Sequence, residues 1–176
     1  NGNLRYINVN KKRDDKIAVT DLVIDAPDLE GEAEVDGSLV YGGETFDLSA
    51  YLEQLSALTA GDPTPAKIEV SSDIIDLDFD GSYSPKEKYL LQGALNVDVA
   101  SLPRVLKLAG FEGKQGVMPY NAFNIKMQGR ANTTDLDYDA FNFVADDLEI
   151  SGKGRVVLSG DKPFFGGTYN INQLDI

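Results

Sequence analysis

Apolar and polar residues alternate with period two along most of the chain, the mark of strands with one buried face. From Leu29 to Tyr41 the odd positions read Leu29, Gly31, Ala33, Val35, Gly37, Leu39, Tyr41, and the even ones begin Glu30, Glu32, Glu34, Asp36, Ser38. The same phase returns at Ile75, Leu77, Phe79 against Asp76, Asp78, Asp80, and at Tyr89, Leu91, Gly93, Leu95, Val97, Val99 against Gln92, Asn96, Asp98. Phe123, Ile125 and Met127 oppose Asn124, Lys126 and Gln128, and Val156 and Leu158 lead into Phe165, Tyr169 and Ile171. Shorter strands are expected at Leu4 to Val9, Ile17 to Ile24 and Ala66 to Val70. Two stretches follow helical spacing instead. Leu48, Tyr51, Leu52, Leu55 and Leu58 predict a helix capped by Asp47 or Ser49 and ended by Gly61. Leu102, Val105, Leu106 and Ala109 predict a second, with Ser101 as cap, Pro103 in its first turn and Gly110 as stop.

Short segments resemble one another. Leu77-Asp-Phe-Asp80 is similar to Leu136-Asp-Tyr-Asp139, and Gly93-Ala-Leu-Asn-Val97 to Gly167-Thr-Tyr-Asn-Ile171. The repeated unit is a meander of strands with an occasional helix. Several glycines fall in the apolar phase: Gly31, Gly37, Gly93, Gly129 and Gly167. Glycine inside a strand marks a bulge, a sharp bend or a close backbone approach, so a row of them on one face implies strong coiling. The expected fold is mainly β within the α+β class: an extended, strongly coiled antiparallel sheet forming a groove, with two short helices that pack on the sheet or plug its end.

Composition narrows the function. The chain has 176 residues, of which 42% are hydrophobic and 26% charged, an ordinary globular mix with room for one domain across 1–176. No apolar run approaches bilayer-spanning length, and the first residue is Asn1. The chain therefore reads as an excised or processed fragment, and any membrane anchor would lie outside this sequence. A net charge of −13 opposes binding to nucleic acid and to anionic membranes through a basic patch. The basic cluster Lys11, Lys12, Arg13 is followed at once by Asp14 and Asp15 and reads as a solvated turn. The absence of Cys excludes disulfides and thiol chemistry, and the absence of His removes the usual general base and most zinc or iron sites. No cofactor is expected, and the chain reads as a non-enzyme.

Two motifs are weighed against plainer readings. Asp76-Leu-Asp78-Phe-Asp80-Gly81 with Glu87 fits the spacing of a calcium-binding EF-hand loop. Such a loop joins two helices, whereas here Leu77 and Phe79 continue a strand alternation, so a solvated acidic strand face is the favoured reading. Glycoside hydrolysis needs one particular pair of carboxylates, and nothing distinguishes two among 29 acidic residues. Gly152-Lys-Gly154 and Gly166-Gly167 lack the following helix of a phosphate loop.

The ordered series of segments resembles the AsmA family of Gram-negative envelope proteins. The segments are Asn1-Gly-Asn-Leu-Arg-Tyr6, Val23-Ile-Asp-Ala-Pro-Asp-Leu-Glu-Gly31, Asp36-Gly-Ser-Leu-Val-Tyr41, Phe46-Asp-Leu48, Leu77-Asp-Phe-Asp-Gly81, Leu91-Gln-Gly-Ala-Leu95, Asp98-Val-Ala-Ser-Leu102 and Leu174-Asp-Ile176. The resemblance implies a periplasmic location in a protein anchored in the inner membrane, a role in outer-membrane biogenesis and phospholipid traffic, and a β-groove that shelters acyl chains. It supplies no catalytic residues. The lipid-groove candidates are Leu39, Tyr41, Leu77, Phe79, Leu91, Leu95, Phe123, Ile125 and Met127, which share one phase of successive strands. Expected partners are phospholipid acyl chains and other envelope proteins, with membrane contact only through an anchor outside this sequence. The alternation by itself favours an ordinary packed core over a groove, and a structural or protein-interaction module in outer-membrane assembly is the alternative function.

Overall fold

The computed structural model describes residues 2–8, 13–110, 120–159, 162 and 164–172, with side chains from residue 17 onward in those ranges. The basic pair Lys11 and Lys12 and the segment Leu174 to Ile176 lie outside the described residues.

Almost every strand pairs antiparallel with the next one in sequence. The strands are β1 (Gly2–Asn8), β2 (Arg13–Val19), β3 (Val23–Asp25), β4 (Ala33–Tyr41), β5 (Glu44–Leu52), β6 (Thr64–Ser71), β7 (Ile75–Tyr83), β8 (Leu91–Val99), β9 (Phe123–Ala131), β10 (Asp135–Ala145), β11 (Leu148–Val157) and β12 (Phe164–Ile171). Eleven lie in one continuous sheet in the order β1-β2-β4-β5-β6-β7-β8-β9-β10-β11-β12, and the short β3 pairs with β4 beside β2. β1 and β12 are the two edges, so the sheet is not closed into a barrel. Tight turns explain the meander. Gly42 and Gly43 both take positive φ in the two-residue turn between β4 and β5, and Asp146 does so between β10 and β11.

The register aligns the apolar phases of successive strands into rows that cross the sheet. One row runs Ile68, Phe79, Leu95, Met127, Phe141, and its neighbour Val70, Leu77, Val97, Ile125, Phe143. A third row runs Ala66, Gly81, Gly93, Gly129, Tyr138, Gly154, Gly167. Along it the strands approach so closely on the apolar side that a methyl group has no room. A Cβ on Gly81 would lie 2.7 Å from the Gly93 Cα, and one on Gly93 2.6 Å from the Gly81 Cα and against the Asp80 carbonyl. A Cβ on Gly129 would sit 3.0 Å from the Tyr138 Cα. The sheet therefore curls toward its apolar face, and the repeated sequences beginning at Gly93 and Gly167 occupy equivalent places in the same rows. Of the glycines expected in strands, Gly31 lies in a bend before β4 instead.

The helices close the ends of the curled sheet. α2 (Leu102–Leu108) leaves the end of β8 and reaches β4 and β5, where the Tyr41 hydroxyl meets the Leu108 carbonyl at 3.5 Å and Arg104 Nε donates to Glu44 at 3.0 Å. Four flat strand spacings would separate β8 from β4 by about 19 Å, and a seven-residue helix is only about 10 Å long. Curling and the length of the Tyr41 side chain make up the difference. At the opposite end lies α1 (Leu55–Ala60), with Gly61 in the left-handed conformation as its stop. Ser56 N–H bonds to the Leu29 carbonyl at 2.6 Å, and Lys86 reaches the Ala60 carbonyl from the loop between β7 and β8. The helix expected from Leu48 onward is thus corrected: Leu48, Tyr51 and Leu52 belong to β5. There Leu48 and Leu52 face the apolar rows while Tyr51 faces the other side, and ladder pairing with β4 and β6 overrides the fortuitous helical spacing. The second helix forms as its spacing predicts, with Pro103 in the first turn and Gly110 at φ 81° beyond its end.

Candidate functional site

Most of the enclosed residues gather under the two helices, while Tyr138 and Ala145 on β10 are buried as well. Ala33, Ala57, Thr64, Ala66 and Ser84 are buried near α1, and Ile74, Val99 and Leu102 near α2. Ile74 is 0% exposed, and its backbone carbonyl accepts from Ala100 N–H at 3.0 Å and from Ser101 N–H at 3.3 Å. Between the plugs most side chains of the apolar rows are only half-buried, Tyr138 excepted, because no second layer of the described residues covers them. The molecule is a single curled layer, and its concave side is a trough.

The nine residues picked out by sequence share that side. Leu77, Phe79, Leu95, Ile125 and Met127 stand in the central rows, Leu91 pairs with Tyr83 and Ala131 at the α1 end, Phe123 pairs with Val99 at the α2 end, and Leu39 and Tyr41 continue the phase onto β4. All nine are half-buried. Sequence reasoning missed an equal contribution from β5, β6, β10 and β11: Phe46, Leu48, Ile68, Val70, Phe141, Phe143 and Ile150 lie in the same phase. On β10 a bulge between Tyr138 and Phe141 turns both rings inward at a spacing of three, with centroids 5.7 Å apart.

Aromatic rings cover the glycine row. The Phe79 ring leans over Gly81, the Tyr138 hydroxyl over Gly154 and the Tyr169 hydroxyl over Gly167. Tyr138 and Tyr169 hydrogen-bond through their hydroxyls. Burial, and then the bond to Tyr169, push the Tyr138 phenol up from 10.0 to about 12. A phenol that holds its proton more tightly when folded contributes stability below pH 10, and that contribution is lost as the pH rises from 10 toward 12. Urea stability should therefore fall over this interval, and Tyr138→Phe should flatten the fall. Identical slopes for the two proteins would mean that Tyr138 is not the group responsible.

The opposite face is polar. Asp76, Asp78 and Asp80 alternate along β7 on this side, with Glu87 beyond the strand. At about 6.8 Å per two strand residues, Asp76 and Asp80 are too far apart to meet on an ion that needs oxygens within about 2.6 Å. Asp80 pairs with Lys67 at 3.4 Å, and Asp78 accepts from Asn96 at 3.3 Å. A shallow depression of about 530 Å³ lies on this face, bordered by Lys67, Glu69, Lys126 and Asn142, with Ala94 and Ala140 among its lining residues. Toward one edge Arg155 pairs with Asp135 and with Asp137 at 3.2 Å, and Arg130 with Asp137 at 3.5 Å. Hydrogen bonding to Arg155 holds the Asp135 carboxyl below its usual range.

No helix among the described residues is long and apolar enough to cross a membrane. Compared with protein-family models, curated proteins and solved structures, the chain matches none.

Proposed function

We propose that the trough shelters the acyl chains of phospholipid, as a periplasmic, non-enzymatic segment of an AsmA-like protein that serves traffic between the inner and outer membranes. One observation carries this reading: an apolar face of large side chains, continuous from β4 to β12, lies half-exposed with the helices only at its ends. Ordinary soluble monomers rarely leave contiguous apolar surface of this extent uncovered. Acyl chains are the simplest occupant, since they need neither hydrogen-bond partners nor a fixed register. Native mass spectrometry after incubation with detergent-solubilised phospholipid tests the proposal. Lipid should be retained by the wild-type chain and lost from Leu95→Asp/Met127→Asp, which places two carboxylates in the central row. A clean apo mass for the wild-type protein would end this reading.

A second reading, a docking module for other envelope proteins, is favoured by the β12 edge. No described strand pairs with its outer side, and Phe164, Phe165, Tyr169 and Ile171 remain exposed, Phe165 to 68%. The strand carries no charge, proline or bulge, the usual guards against pairing with a further strand. Specific capture of a protein through this edge, with no lipid in the trough, would favour it over the first.

A further inference from the structure

Among the described residues, no Lys or Arg stands in the apolar phase of the strands β4 to β12 that form the trough. From β4 to β12 the one charged residue in its phase is Glu44, and Arg104 neutralises that carboxylate. The other arginines with described side chains, Arg130 and Arg155, are on the polar face and already paired with Asp135 and Asp137. At the end closed by α2, the exposed carboxylates Asp73, Asp146 and Asp147 stand with two cations of the helix, Arg104, which is paired with Glu44 and lies near Asp73, and the exposed Lys107, and the whole chain has a net charge of −13. Phosphate and carboxylate groups are ordinarily held by Arg forks or Lys, and an anion without such a partner is costly to draw from water.

Resting on the acyl-chain reading above, we infer that the trough selects lipids with zwitterionic or uncharged heads and disfavours anionic phospholipids and free fatty acids. The tails supply the attraction. The head stays at the mouth of the trough, where its charge meets the chain's negative field. An anionic head is repelled there, whereas a zwitterionic head brings its own ammonium to the loop carboxylates.

The experiment equilibrates the chain with phosphatidylcholine, phosphatidylglycerol or diacylglycerol bearing identical acyl chains, and measures retained lipid by mass spectrometry after size exclusion. At low salt, phosphatidylcholine should be retained about tenfold over phosphatidylglycerol, the scale set by surface potentials of a few kT. The gap should narrow at high salt, as screening removes the repulsion. Val97→Lys, which adds an ammonium to a trough row, should raise phosphatidylglycerol retention. Leu77→Lys is the second such variant, with circular dichroism establishing which of them keeps the sheet. Equal retention of the two phospholipids at both salt concentrations, or a preference for phosphatidylglycerol, overturns the inference and leaves the acyl-chain reading standing. Retention of none of the three lipids, diacylglycerol included, overturns both.

Discussion

Ile74→Asp should unfold the domain, whereas Leu95→Asp should leave it folded. Ile74 is 0% exposed beneath α2, and the backbone around it is tied to Ala100, Ser101 and the Ser72 hydroxyl. A carboxylate there has no water and no cation, so the substitution should cost about 4 kcal/mol or more. Leu95 stands in the middle of the trough and is only half-buried. Its replacement removes apolar contact with Phe79 and Met127, yet the new carboxylate can turn toward the open side, and the cost should be about 1–2 kcal/mol. Urea titration of the two variants measures the contrast. If Leu95→Asp unfolds as completely as Ile74→Asp, the concave side is a packed core and not an open trough.

The second large effect is expected at Gly93. Its added methyl meets backbone on both sides, the Asp80 carbonyl and the Gly81 Cα, and neither can rotate away as a side chain would. β7 and β8 must separate to admit it. Gly93→Ala should therefore lower stability by about 3 kcal/mol. Gly43 is the control: it takes φ 88° in an open turn with nothing within 4 Å of its Cβ position. Gly43→Ala should cost about 1 kcal/mol, from left-handed strain alone. The comparison is made on urea midpoints at unchanged slope. Equal losses at the two positions would mean that the sheet is not creased along the glycine row.

Strands with an unbroken phase were legible in the sequence, and those with an interrupted phase were not. β7, β8 and β9 keep strict alternation through Ile75 to Phe79, Leu91 to Val99 and Phe123 to Met127, and they supplied seven of the nine groove candidates. The start of β10 was legible in the likeness of Leu136-Asp-Tyr-Asp139 to the β7 segment, but its second half was hidden because the bulge shifts the apolar phase from Leu136 and Tyr138 to Phe141 and Phe143. β5 was hidden because Leu48, Tyr51, Leu52, Leu55 and Leu58 happen to satisfy helical spacing, and only pairing with β4 and β6 decides between the two periods. The single strand expected from Ile17 to Ile24 divides at Thr20, whose N–H and hydroxyl both bond to the Ser38 carbonyl, a junction that alternation does not encode. The trough's openness was likewise beyond the sequence. A half-buried row and a sealed core have the same alternation, and only the absence of a facing layer separates them.

The meander makes this a mainly β molecule held together mostly by neighbours in sequence. From β4 onward each strand in the sheet follows its predecessor, and α1 and α2 add the longer ties among β4 to β8. Contacts of short sequence separation are entropically cheap to form. Folding can thus begin at any hairpin and spread sideways, without the distant strand pairings that slow a sandwich or barrel. Traction on the C-terminal end would peel β12, β11, β10 and β9 in turn, and meet its greatest resistance at the block that the two helices clamp.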